Sequence, residues 1–209
     1  MGTSRFAVPI LEAIVNAGHE VVAVVTQPDR PSGRGREVHT SPVKDLAVRL
    51  NIPVFQPEKI KTEDSIAQIR SYEPLDAIVV AAFGQIIPQV ILDIPKFGCI
   101  NVHASLLPKY RGAAPIHYAI MSGETVTGVT TMLMDAGLDT GDILLKREIP
   151  IGPEETTGEL EPRLAEAGAE LLIETLAGLE QGKIKPEPQD NEKATVAKSI
   201  KREQGQIDW

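Results

Sequence analysis

A chain of 209 residues with 42% apolar side chains can bury a substantial core in one domain, and a formal net charge of −8 excludes a surface that binds nucleic acid or anionic membrane throughout. Any nucleic-acid contact is then confined to a local basic patch. A single cysteine, Cys99, excludes an internal disulfide framework; with no run of about 18 apolar residues and no basic, apolar leader, the expectation is a cytoplasmic protein without membrane attachment.

Ile10, Ile14 and Ala17 recur at helical spacing ahead of Gly18, so a helix opens almost at residue one, and the Val- and Ala-rich stretch 21–26 follows as a buried strand. A strand ahead of that helix is missing from the pattern. Residues 27–42 carry Pro28, Pro31, Gly33 and Gly35 among Arg30, Arg34 and Arg36, too much Pro and Gly for regular structure. Such a loop reads about equally as a grip on phosphates or as a solvated surface. Ser41 before Pro42 is a helix cap, and Val43, Leu46, Ala47 and Leu50 give the helix its apolar stripe. A short strand at 53–55, an amphipathic helix over 63–72 with Ile66 and Ile69 inward, and the most hydrophobic strand, over 75–83, come next. Its end carries Phe83, Gly84, Gln85, Ile86 and Ile87: an apolar pocket open to a flat ring, or a glycine turn capped by core residues.

The stretch from Cys99 to Pro115 begins as an apolar strand, places Asn101 and His103 on one face by their spacing of two, and breaks at Pro108 and Gly112. A helix near 114–121 follows, then a half-buried strand over 126–134, a loop with Asp135, Asp139 and Asp142, and a strand over 143–151. The two strands read as an antiparallel hairpin. Thr156 and Glu159 form a capping box for a long helix through Leu164, Ala167, Leu171 and Leu179, with Pro162 expected to kink it or delay its start. From Gly182 the chain turns polar and Pro-rich.

Helices alternating with Val-rich strands predict an α/β fold: a doubly wound, mostly parallel open sheet with helices on both faces, lacking its first strand, with ligands bound beyond the carboxyl ends of the strands. The loops at 83–88, 101–112 and 135–142 all follow strands. No metal-ligand spacing joins His19, His39, His103 and His117, and neither phosphate-binding glycine fingerprints nor a Gly-x-Ser-x-Gly elbow is present. Cys99 sits inside a strand, which speaks against a covalent nucleophile. An imidazole beside a carboxylate shuttles protons, and an Asn amide can stabilise a developing oxyanion by roughly 3 kcal/mol. Asn, His and Asp together suit acyl transfer to an amine.

The pattern Asn101-x-His103-x-Ser105-Leu106-Leu107-Pro108-x-Tyr110-Arg111-Gly112, followed by Asp135-x-Gly137-Leu138-Asp139-Thr140-Gly141, resembles the signature of formyltransferases that use 10-formyltetrahydrofolate. Nearly the whole chain is similar to the catalytic domain of members acting on initiator methionyl-tRNA in translation initiation, including residues 26–31, 41–43 and 207–209. The resemblance implies a Rossmann-like formyltransferase fold, catalysis by Asn101, His103 and Asp139, and no metal. It also implies folate binding by Phe83, Gly84, Gln85, Ile86 and Ile87 with Ser105, Leu106, Leu107 and Pro108, and tRNA contact by Arg34 and Arg36. Asn101 would polarise the formyl oxygen, His103 act as general acid/base, and Asp139 pair with His103 and order the catalytic water. The expected domains are a catalytic unit over 1–182 and an extension over 183–209 leading toward a β-barrel that this sequence lacks; a monomer is expected. Against the family pattern, a central strand before Gly2 is absent, so either the start lies downstream of the natural one or the sheet has lost a member. The alternatives are a formyltransferase for a small amine such as an amino sugar nucleotide or glycinamide ribonucleotide, which would not need the arginines of residues 30–36, a deformylating hydrolase, and a truncated, non-catalytic folate-binding remnant.

Overall fold

The computed structural model describes residues 1–32 and 37–206. In chain order its elements are α1 (Ala7–Asn16), β1 (Val24–Val25), β2 (Arg30–Ser32), β3 (Glu37–His39), α2 (Pro42–Arg49), β4 (Val54–Phe55), α3 (Glu63–Arg70), β5 (Ile78–Val80), α4 (Gln89–Leu92), β6 (Cys99–His103), β7 (Arg111–Gly112), α5 (Pro115–Met121), β8 (Val126–Leu133), β9 (Ile143–Pro150), α6 (Thr157–Glu180) and β10 (Val196–Ala197).

Local chemistry sets the helix starts. The Ser41 hydroxyl accepts the Lys44 amide N–H at 3.1 Å with Pro42 at the first helical position, and the Thr62 hydroxyl accepts from Ser65 at the head of α3. At α6 the Glu159 carboxylate accepts from both the amide and the hydroxyl of Thr156, at 2.9 and 2.8 Å. That cap holds the start at Thr157, so Pro162 lies inside the helix and does not delay it.

Four strands form the main sheet in the order β5-β6-β8-β9, with β5 and β6 parallel and the β6-β8 and β8-β9 pairs antiparallel. The expected hairpin at 126–151 is present, and a register shift between Thr131 and Met132 bends β8. On the other side β1 pairs with β4 in parallel. Residues 1–3 join the two groups: Gly2 N–H donates to Val25 O at 2.9 Å, Ala81 N–H donates to Met1 O at 3.0 Å, and Gly2 bridges Ala81 in parallel. Residues 1–3 thus lie in the middle of the sheet, a stretch too short to carry a period. Beside it a cavity of about 440 Å³ opens between β1 and β5, lined by Ile10, Ile14, Val24 and Val79.

The core lies on both faces. Ile100 and Val102 of β6 point toward α1 and α6, where Leu160, Leu164 and Leu172 are buried. Gly168 lets the α6 backbone settle on the sheet, since a Cβ there would stand 2.8 Å from Val102 Cγ1. On the other face Cys99 joins Ile78, Val80, Phe83, Ile87 and Ile91.

One expected loop is regular: β2 and β3 form an antiparallel ribbon with Arg30 opposite His39 and Ser32 opposite Glu37. Pro31 is tolerated because each strand of a two-stranded ribbon has a free edge. The chain after α6 folds back: β10 pairs in parallel with β7, and Glu187 bridges Ile143. No helix among the described residues is long and apolar enough to cross a membrane.

Candidate active site

Alternation along β6 sends Ile100 and Val102 into the core and leaves Asn101 and His103 on the opposite face, both almost fully buried at 8% and 6% exposure. The loop after β8 brings Asp139 to them across 38 residues: Asn101 Nδ2 donates to Asp139 Oδ1 at 3.2 Å, and His103 Nδ1 lies 3.7 Å from Asp139 Oδ2. A third group completes the cradle, since Gly112 N–H donates to the same Oδ2 at 2.8 Å. Asp139 adopts a left-handed backbone conformation, φ 52°, rare for a residue with a side chain. Such strain persists where surrounding contacts over-determine the geometry.

His103 Nε2 sits 2.9 Å from the carbonyl oxygen of Tyr110. A carbonyl only accepts, so Nε2 carries the hydrogen, and Nδ1, facing Asp139, is the atom that takes up a proton. The carboxylate that Nδ1 faces is already held by an amide side chain and a backbone N–H. The arrangement can take up and return a proton at Nδ1 and offer a carboxamide donor beside it.

The loop after β6 is braced from β8. Thr130 Oγ1 donates to Ser105 O at 2.7 Å and accepts Leu107 N–H at 3.1 Å, and Ser105 Oγ donates to Lys109 O at 2.6 Å. Ser105 is fully buried and Leu107 packs on Met132 and Ile143, so within residues 105–108 only Leu106 and Pro108 retain accessible surface. In residues 83–87 Phe83 and Ile87 are anchors in the core, Gly84 exposes backbone at φ 81°, and Ile86 is 87% exposed. Gln85 secures this loop, its Oε1 accepting Ile60 N–H at 2.7 Å and its Nε2 donating to Pro57 O at 3.1 Å. Met134 packs against both the Phe83 cluster and the Leu107 cluster, linking the two expected folate loops. The sequence reading treats all nine of these residues alike; the structure divides them into buried supports and accessible wall. Arg34 and Arg36 lie outside the described residues.

Residues outside the motif, together with motif residues to which it assigns no role, stand behind the site. Buried Arg111 donates to Gln189 Oε1 and Asn191 Oδ1, and Gln189 Nε2 donates to the carbonyls of Asp139 and Gly141. No sequence signal marks Gln189 or Asn191, which sit in a polar, Pro-rich segment. Tyr110 OH and Lys109 Nζ meet on Glu124, and the Tyr110 hydrogen bond, ahead of that from Lys109, holds the Glu124 carboxyl below its ordinary range. Among the described residues no group of three or more His, Cys, Asp or Glu could hold a metal ion.

Asn101 and His103 at the end of β6 and Asp139 on the loop after β8 thus form one polar cluster on an α/β sheet, and comparison with known proteins identifies the family to which the chain belongs. The formyl transferase family model matches residues 1–176, and the chain belongs to that family. It is 62% identical over all 209 residues to the methionyl-tRNA formyltransferase of Koribacter versatilis and 57% identical to that of Solibacter usitatus, covering 67% of each. The chain thus spans about two thirds of the length of these curated relatives. Among solved structures, an N-formyltransferase from Helicobacter canadensis, in complex with folinic acid and dTDP-3-aminofucose, shares the fold with a TM-score of 0.71 at 24% identity, over 94% of this chain and 68% of its own.

Proposed function

We propose that the chain transfers a formyl group from 10-formyltetrahydrofolate to the α-amino group of initiator methionyl-tRNA. The observation that carries this reading is the convergence of Asn101, His103 and Gly112 on the Asp139 carboxylate. The folate supplies a formyl carbon bound to nitrogen. A bond forms between that carbon and the attacking amine, the carbon–nitrogen bond to the folate breaks, and one proton passes from the amine to the departing nitrogen. His103 takes up that proton at Nδ1 and returns it, Asp139 stabilises the imidazolium, and the second amide hydrogen of Asn101 is available to the formyl oxygen as negative charge develops there.

Two apolar surfaces suit a flat ring: Gly84 leaves backbone open next to Ile86, which is 87% exposed, and Leu138, 62% exposed, stands against Gly112 beside the Asp139 carboxylate. Residues 1–182 are read as the catalytic unit. The acceptor is read from the relatives' names together with Arg34 and Arg36, whose charge suits phosphate.

An acceptor panel tests the reading. With 10-formyltetrahydrofolate as donor, initiator methionyl-tRNA is formylated, and methionine amide, a dTDP-amino sugar and glycinamide ribonucleotide are not. Faster transfer to either small amine would move the chain to the other acceptor class.

A further inference from the structure

The segment after α6 reaches back into the site through one side chain. Gln189 Nε2 donates to Asp139 O at 2.9 Å and to Gly141 O at 2.7 Å, while its Oε1 accepts from Arg111 Nε and an Arg111 terminal nitrogen at 3.0 and 2.7 Å. The orientation of the amide follows from its partners: a guanidinium requires the oxygen, and two carbonyls require the NH2. Arg111 is 7% exposed and is anchored in turn by its backbone, its N–H donating to Thr195 O at 2.8 Å. Its neighbour Gly112 supplies the N–H that holds the Asp139 carboxylate.

Asp139 is therefore gripped at both ends from β7. Gly112 holds the carboxylate directly, and Arg111 holds the backbone carbonyl through Gln189. Left-handed φ at a non-glycine residue reverts unless neighbouring contacts fix it, and reversion would swing the carboxylate away from His103 and Asn101. We propose that Gln189 is a positioning residue for formyl transfer, clamping the Asp139 and Gly141 carbonyls so that the Asp139 carboxylate stays aimed at His103. The proposal rests on the reading of Asn101, His103 and Asp139 as the catalytic group. It gives the segment beyond residue 182 a part in catalysis separate from any acceptor contact.

Two variants test it. Gln189→Glu keeps an acceptor for Arg111 but sets an anion against two carbonyls; Gln189→Leu removes both halves of the clamp at similar volume. Both are assayed for kcat and KM with initiator methionyl-tRNA and 10-formyltetrahydrofolate, alongside amide hydrogen exchange resolved by peptide. The expectation is a kcat lowered about 10- to 100-fold with KM for the donor changed less than about twofold, as misplacement of one catalytic group produces. Exchange in residues 135–142 rises about tenfold, while α6 and β8 keep their protection. Unchanged kcat and unchanged exchange in residues 135–142 would overturn the proposal, as would equal loss of protection in α6 and β8, which marks a general folding role. A wild-type protein without formyl transfer overturns the functional reading and the catalytic part of this proposal, while exchange in residues 135–142 still decides whether Gln189 holds the loop.

Discussion

His103 Nδ1 faces Asp139 Oδ2 at 3.7 Å while Nε2 is committed to the Tyr110 carbonyl at 2.9 Å. The ring is oriented by backbone on one side and left open to a proton on the carboxylate side. Asp139→Asn keeps the size of the side chain and removes the charge that stabilises the imidazolium. Single-turnover formyl transfer should fall by about 10²- to 10⁴-fold, the usual range for losing assisted proton transfer. A loss below about tenfold would show that the proton travels by another route.

Asn101 donates one amide hydrogen to Asp139, and in the proposed mechanism the other is available to the formyl oxygen. Asn101→Ala should lower kcat by about 10²-fold, equivalent to roughly 3 kcal/mol at the transition state. Folate affinity, followed by equilibrium fluorescence quenching, should change little. A weaker complex with kcat intact would instead assign Asn101 to ground-state binding.

Thr130 holds the turn after β6 from beneath with a single hydroxyl that donates to Ser105 O and accepts from Leu107 N–H, all buried. Thr130→Val preserves shape and leaves a buried carbonyl and amide without partners, a loss of about 1–3 kcal/mol. Urea unfolding should show a lower midpoint at unchanged slope; an unaltered midpoint would mean that the turn relaxes to other partners.

Cys99 is 1% exposed within the Ile91 cluster, and burial pushes its thiol from 9.0 up to about 12. Native protein at pH 8 should therefore resist a disulfide probe that reacts at once in denaturant. The sign of the linkage follows from the raised value: the protection is complete below pH 9.0 and is lost as pH rises toward about 12, because the unfolded chain releases its proton first. Cys99→Ala should flatten that alkaline decline in thermal stability. An equally steep decline in the variant would assign it to other groups.

The fold class was legible because it depends on local periodicity. Ile10 and Ile14, the Ser41 and Thr156 caps, and the alternation of Asn101 and His103 with Ile100 and Val102 each report their surroundings within a few residues. Met1, Gly2 and Thr3 could not be read as sheet, since their role is defined by backbone hydrogen bonds to Val25 and Ala81. The β2-β3 ribbon was hidden by Pro31, which argues against a central strand but not against a free edge. Within the site, the spacing of two put Asn101 and His103 on one face and the family resemblance pointed to Asp139, but neither said which neighbours face outward. Ser105 and Leu107 are interior because Thr130 and Met132, on another strand, hold them there, while Ile86 on the other loop is exposed. Gln189 was illegible for the same reason: its contacts are 50 and 48 residues away.

The most direct measurement compares Asn101→Ala, His103→Ala and Asp139→Ala, singly and combined, in steady-state formylation of initiator methionyl-tRNA. Groups that share one carboxylate and one proton act as a unit, so the losses should be far from additive, with the His103 variant already close to the triple variant. Independent, multiplying losses, or a triple variant that retains wild-type turnover, would contradict the account.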